Sequence, residues 1–204
     1  MNLKETYNKI AADWHSDHHQ DTWWVGGTDL FISMLKPGSL VLDAGCGAGT
    51  KSKYIIEHGL RVHGIDIADK LLEIAKKEAP EGTYEVMALE AVSRLNQQFD
   101  AIFAQASLLH VAKKDVPQTL ESLNGKLKSG GLFYVAVKET RPGQPDEEVK
   151  VDDDYGYTYE RFFSYFTAPE LKKYFTDLGL TVVHSQVEKT GRTNWIQIIA
   201  KKVA

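Results

Sequence analysis

The 204-residue sequence has one cysteine, Cys46, so no intrachain disulfide can form and a reducing compartment is the expected setting. It has no apolar run near the 18 residues or so that a membrane span requires. Met1-Asn2-Leu3-Lys4-Glu5 is polar and lacks the apolar core of a secretory signal. These absences make a cytoplasmic protein without a membrane partner the expectation. A basic excess is missing too: 24 Lys and Arg face 28 Asp and Glu, a net charge of −4. Bulk electrostatics therefore do not favour nucleic acid or an anionic membrane as a partner. No internal repeat, low-complexity tract or second domain is visible, and residues 1–204 read as one domain large enough to bury a real core. The composition sets no oligomeric state.

What is present is an ordered alternation. Apolar residues Leu3, Tyr7, Ile10, Ala11 and Trp14 recur at helical spacing, so a helix is predicted from Leu3 to Trp14, followed by a polar break over Ser16 to Asp21. A second helix is predicted over Thr22 to Leu35, ending before Lys36-Pro37-Gly38. Short apolar strands then alternate with helices: strand Leu40–Leu42, helix Thr50–His58, strand Arg61–Ile65, helix Ala68–Ala79, strand Thr83–Met87, strand Ala101–Ala104, helix Val116–Leu127 and strand Leu132–Val137. The end differs. After a helix over Pro169–Leu178, strands Thr181–Val183 and Asn194–Ala200 flank a polar turn at Lys189 to Arg192, so they should be antiparallel. The expected class is α/β, a three-layer sandwich whose mostly parallel sheet ends in an antiparallel hairpin.

The first strand runs into Asp43-Ala44-Gly45-Cys46-Gly47-Ala48-Gly49 and then a helix. Glycines let the chain turn sharply and let a ligand approach the backbone. The spacing is G-x-G-x-G, and Asp43 precedes the first glycine. A carboxylate there would repel a pyrophosphate and attract an ammonium. Asp66 ends the second strand, seventeen residues beyond Gly49, where doubly wound folds carry a ribose-binding carboxylate. The bland alternatives are a tight structural turn for the glycines and a helix cap for Asp66, with Asp69 able to fill that cap instead.

These segments resemble the class I S-adenosylmethionine-dependent methyltransferases. The resemblance rests on Val41-Leu42-Asp43-Ala44-Gly45-Cys46-Gly47-Ala48-Gly49; Gly64-Ile65-Asp66-Ile67 with Leu71-Leu72-Glu73-Ile74-Ala75; Phe99-Asp100-Ala101-Ile102-Phe103-Ala104 with Leu108-Leu109-His110-Val111; and Leu127-Lys128-Ser129-Gly130-Gly131-Leu132. It covers about Leu40 to Val137. It implies a seven-stranded sheet and S-adenosylmethionine as cofactor, with Gly45 and Gly47 beside its methionine part and Asp66 on its ribose. Cys46 and Ile67 fall in the same cofactor-binding segments. One departure stands out. That family often has an acidic residue after the third strand for the adenine amine, and here the segment reads Met87-Ala88-Leu89-Glu90. Ala88 cannot accept a side-chain hydrogen bond; Leu89 could pack on the ring, and Glu90 or backbone could serve the amine.

The tip of the fourth strand should face both cofactor and acceptor. Gln105 is expected near the cofactor. His110 reads either as a base or acceptor contact, or as a half-buried histidine satisfied by backbone. The segment is not the Asn/Asp-Pro-Pro-Tyr found in enzymes that resemble base-amine methyltransferases, so a small-molecule acceptor is expected rather than nucleic acid. Residues 1–36 resemble a helical lid. Tyr7 could touch the cofactor, whereas Trp23 and Trp24 are expected to pack on the sheet. His15, His18, His19 and Asp17 read as a solvated linker, and no metal is expected. Residues 139–166 are expected to form an insertion on the acceptor side: an acidic run, then Tyr155, Tyr157, Tyr159, Phe162, Phe163, Tyr165 and Phe166 around Arg161. They could wall a flat or carboxylate-bearing acceptor, with Tyr157 and Arg161 as contacts, or simply cover the sheet edge. A non-catalytic cofactor-binding protein and an NAD-type oxidoreductase are the rival readings. The G-x-G-x-G spacing and terminal hairpin weigh against the second.

Overall fold

The computed structural model describes residues 2–203. Helices α1 (Leu3–His18) and α2 (Val25–Ser33) precede a run of strands and helices: β1 (Leu40–Ala44), α3 (Thr50–Glu57), β2 (Arg61–Asp66), α4 (Asp69–Glu78), β3 (Thr83–Val86), β4 (Phe99–Gln105), α5 (Val116–Lys126) and β5 (Leu127–Lys138). A separate hairpin, β6 (Glu147–Asp152) and β7 (Tyr159–Ser164), leads to α6 (Ala168–Asp177) and then β8 (Leu180–Thr190) and β9 (Thr193–Lys202). The seven-stranded sheet has the order β3-β2-β1-β4-β5-β9-β8. Its first five strands are parallel, and β9 and β8 close it antiparallel.

Burial explains why these runs are strands. Along β5, Phe133, Val135 and Val137 point into one apolar cluster while Leu132, Tyr134 and Ala136 point into another. The sheet is therefore covered on both faces, and its strands carry apolar residues on both. One face is closed by Leu120 and Leu123 of α5 with Leu171 and Phe175 of α6. The other is closed by Phe31 of α2 and Ile55 of α3. Phe31 is fully buried, its ring 5.4 Å from Phe103 and 5.6 Å from Tyr134. Trp24 is buried, and Trp23 stacks on Trp195 at 4.1 Å.

Several expectations need correction. The polar break starts later than Ser16: α1 runs on to His18. His18 and His19 bond carbonyls of that last turn, and His18 also stacks on Trp14 at 3.7 Å, so these residues are helix C-terminus rather than linker. Helix α2 is shorter than Thr22 to Leu35, with Trp24 as its N-cap. Asp69 is not a cap but the first helical residue of α4, turned onto α1 to take Asn8 at 2.9 Å and Lys4 at 3.1 Å. Residues 147–164 are a ladder rather than an irregular loop, pairing Glu147 with Ser164 through Asp152 with Tyr159. The terminal strands are longer than predicted, β8 having 11 residues and β9 having 10, because Thr190 pairs with Thr193 across Gly191-Arg192.

Candidate active site

The carboxyl ends of β1, β2 and β4 open into one cavity of about 180 Å³, roofed by α1. Asp43, Gly45, Cys46, Gly47, Asp66, Ile67, Leu89, Gln105, Tyr7 and His110 all line it. Ala88, Tyr157 and Arg161 do not.

The floor is held by backbone geometry. Gly45 has φ +82°, and a Cβ there would lie 2.3 Å from the Ser107 Cβ. Only glycine fits that turn. A Cβ on Gly47 would meet nothing within 4 Å, so its missing side chain leaves open space in the cavity. The Asp66 carboxylate ties the loop in place, accepting from the Gly47 amide at 2.9 Å and, through its other oxygen, from the Ala68 amide at 2.9 Å. Burial raises its proton affinity.

Asp43 is 2% exposed and accepts the Ser52 hydroxyl at 2.6 Å. Burial pushes its carboxyl up to about 6, although Ser52 and Lys51 pull the other way. Among the described residues no cation lies within 4.0 Å of it. Cys46 is buried, and its thiol is pushed up by burial and by both carboxylates.

The opposite end is built from side chains. Nδ1 of His110 lies 2.6 Å from the Phe162 carbonyl, and Nε2 lies 2.8 Å from the Tyr7 hydroxyl. A carbonyl can only accept, so Nδ1 carries the proton and Nε2 accepts from Tyr7. Burial lowers His110 to about 4, with Lys138 and Arg161 adding to that effect. Burial raises Tyr7 to about 12, opposed by Arg161. Gln105 is 5% exposed, and neither polar atom of its side chain has a partner in the protein. A buried amide left that way costs free energy unless a ligand satisfies it.

Sequence reasoning missed three parts of the site. His15, His18 and His19 wall the mouth beside Trp14. Their signal was present, since the helical spacing of α1 continues past Trp14. Lys51 lines the cavity behind the glycine loop. Ala106 sits at φ +55°, a left-handed conformation that costs an alanine roughly 1 kcal/mol or more. It turns the chain between Gln105 and Ser107, and no residue type announced it. Tyr157 instead bonds Asp13 at 2.5 Å on the outside of α1. Arg161 lies behind the cavity wall, paired with Asp152 at 2.7 Å and 4.9 Å from the Trp14 ring.

Residues 41–131 match the family described as Methyltransferase domain. A ubiquinone biosynthesis O-methyltransferase of Coxiella burnetii is 29% identical over 140 residues, which is 60% of this chain and 59% of that protein. The chain thus spans less than two thirds of that relative. Among solved structures, Burkholderia thailandensis 1,6-didemethyltoxoflavin-N1-methyltransferase, with bound 1,6-didemethyltoxoflavin and S-adenosylhomocysteine, superposes with a TM-score of 0.77 at 20% identity, covering 99% of this chain and 88% of that one. Magnesium protoporphyrin IX methyltransferase from Synechocystis PCC 6803, with bound S-adenosylmethionine, gives 0.74 at 18% identity, covering 98% and 95%.

Proposed function

We propose that this chain is a class I S-adenosylmethionine-dependent methyltransferase that transfers a methyl group to a small-molecule acceptor; the methyltransferase-domain match over residues 41–131 and the fold shared with solved methyltransferases support this reading. One observation carries this reading. A single cavity joins a buried, cation-free carboxylate at the glycine loop to an orphan amide and a Tyr–His pair at the far end.

The residues present fit the cofactor. Asp43 lacks a positive partner that the ligand's ammonium would supply. Gly45 and Gly47 leave backbone and open space for the methionine part. Asp66 offers the ribose its carboxylate lone pairs, and Ile67, Met87 and Leu89 give apolar contacts for adenine. Glu90 lines the same cavity and takes the adenine amine in place of the acidic residue that Ala88 replaces. When bound, S-adenosylmethionine supplies a methyl group on a sulfonium, open to in-line attack.

The chain's own residues do the rest. Tyr7 and Trp14 on α1 cover the cavity and exclude water. Gln105 hydrogen-bonds a polar group of the bound pair. His110 is neutral at pH 7, the form a base requires. An acceptor that must lose a proton gives it to Nε2 through the Tyr7 hydroxyl, which receives one proton as it passes on its own. Arg161 reinforces the wall behind Tyr7, and Tyr157 steadies α1 from outside. The reading treats residues 1–204 as one working unit, with α1 and α2 as the lid segment and residues 139–166 on the acceptor side. The one cysteine, free and buried, suits work in the cytoplasm. Among the described residues no helix is long and apolar enough to cross a membrane.

The test is release of S-adenosylhomocysteine from S-adenosylmethionine over a panel of small hydroxyl, amine and thiol acceptors. Acceptor-dependent release that falls on His110→Ala supports the reading. No release with any acceptor, from protein that binds the cofactor, would favour the non-catalytic alternative.

A further inference from the structure

The inward face of the β6–β7 hairpin carries more positive charge than its neighbours neutralise. Glu148, Lys150 and Asp152 on β6 stand opposite Phe163, Arg161 and Tyr159 on β7. Lys138, the last residue of β5, meets this face, its Nζ 4.1 Å from the centroid of the Phe163 ring. The Lys150 Nζ lies 5.9 Å from the same centroid, and the Arg161 guanidinium carbon 5.3 Å. Three cations thus gather around one ring. Beside them is a second, smaller cavity whose wall includes Lys138, Arg141 and Lys150.

The nearby carboxylates are engaged elsewhere. Asp152 holds Arg161 at 2.7 Å. Glu148 takes the Tyr165 hydroxyl and the Gln144 amide, and Glu139, also in the cavity wall, takes the Asn194 amide at 2.8 Å. Among the described residues no carboxylate comes within 4.0 Å of Lys138, Lys150 or Arg141. Burial first, then Lys150 and Arg161, push the Lys138 ammonium down to about 8, against the opposing pull of Asp152. Like charges gathered around a buried aromatic ring destabilise the free protein, and a bound anion would reverse that. The His110 ring also lies 5.0 Å from Phe163. The cluster is therefore one aromatic ring from the acceptor end of the active site.

We propose that Lys138, Lys150 and Arg141 form an oxyanion subsite that seats a carboxylate or phosphate of the methyl acceptor, which makes the substrate class anionic. The identity of the occupant as the acceptor rests on the methyltransferase reading; the anion site itself does not. Ammonium groups suit either oxyanion, each donating charge-assisted hydrogen bonds.

The test titrates inorganic phosphate and benzoate, separately, into the full chain with and without S-adenosylhomocysteine, followed by NMR. Binding of S-adenosylhomocysteine is measured by calorimetry in the same buffer without either anion. Saturable millimolar binding is expected, with the largest shifts at Lys138, Lys150 and Phe163. Lys138→Gln and Lys150→Gln should each weaken it by about tenfold, and the exposed Lys172→Gln should not. Binding of phosphate alone assigns a phosphate-bearing acceptor, binding of benzoate alone a carboxylate; either supports the subsite. Absence of saturation by both anions, or equal affinity in wild type and both variants, overturns it. If Lys138→Gln fails to fold, Lys150→Gln on the separate hairpin decides. Loss of S-adenosylhomocysteine binding in wild type would sink the methyltransferase reading while leaving the anion result to stand by itself.

Discussion

The two walls of the cavity are made of different material. The floor, at the tips of β1, β2 and β4, is backbone: glycine turns, amides held by Asp66, and one buried carboxylate. The roof and far end, from α1, the His110 turn and the β6–β7 hairpin, are side chain: Tyr7, Trp14, His110 and the cations behind them. The floor is anchored by the parallel ladder around it. The roof is anchored by scattered contacts, such as Asn8 on Asp69, Lys9 on the Thr158 carbonyl at 2.9 Å and Tyr157 on Asp13. Under the proposed reading the floor serves what every catalytic cycle shares, the cofactor, and at Gly45 it has no room for a side chain. A roof of side chains can be rewritten without disturbing the sheet, and that is where acceptor choice belongs.

That contrast predicts a descending series of effects. Gly45→Ala strikes the floor hardest. Its Cβ would strike Ser107 at 2.3 Å on a left-handed backbone, so S-adenosylhomocysteine affinity should fall by roughly a hundredfold or more, with a lower melting temperature. Near-normal binding of this variant would mean the floor is more plastic than its geometry implies. Next comes His110→Ala at the far end. Turnover should drop by roughly 100-fold or more while cofactor affinity stays within about threefold, since the lost group acts on protons. A matching loss of cofactor affinity would erase the distinction between the walls.

Asp43→Asn should weaken cofactor binding by about tenfold, the loss of one charge-assisted contact. It should also raise thermal stability at pH 7.5. The folded-state carboxyl sits near 6, above its ordinary value of 3.8, so the folded form favours the protonated group. The stability this group contributes is present below about 4 and lost as pH rises through 6, so removing its charge relieves the protein at neutral pH. By the same titration, wild-type cofactor affinity should decline as pH falls below about 6, while turnover at saturating cofactor shows no histidine inflection near 6.5, because His110 titrates near 4. The smallest effect belongs to Tyr157→Phe. It removes one exposed hydrogen bond between hairpin and α1, and kinetic constants should stay within about threefold.

The floor was also the legible wall. G-x-G-x-G after a short apolar run, with Asp66 one strand later, marks a turn and its anchor by residue type, while the ligand class is what the family resemblance implies. The parallel strands announced themselves as Val-, Leu- and Ile-rich runs, because both sheet faces are buried. The roof was legible only in part. Trp14 and the histidines after it stand together because α1 ran one turn further than its polar composition suggested. Tyr157 lies in the turn before β7 and reaches Asp13 on α1, whereas Arg161 shares a face of β7 with Phe163 but is held by Asp152 behind the cavity wall. Lys138 and Lys150 are twelve residues apart and meet only because the hairpin folds back over the end of β5. Ala106 gave no signal, since a strained conformation is imposed by the surrounding ladder and not by the alanine.

The central claim is that the backbone floor binds S-adenosylmethionine chemistry and nothing dinucleotide-like. Calorimetric titration of wild type and Asp66→Ala with S-adenosylhomocysteine and with NAD tests it most directly. The account predicts micromolar binding of S-adenosylhomocysteine, weakened by roughly 1–3 kcal/mol in Asp66→Ala, and no binding of NAD. Binding of NAD alone, or unchanged affinity in the variant, would contradict it.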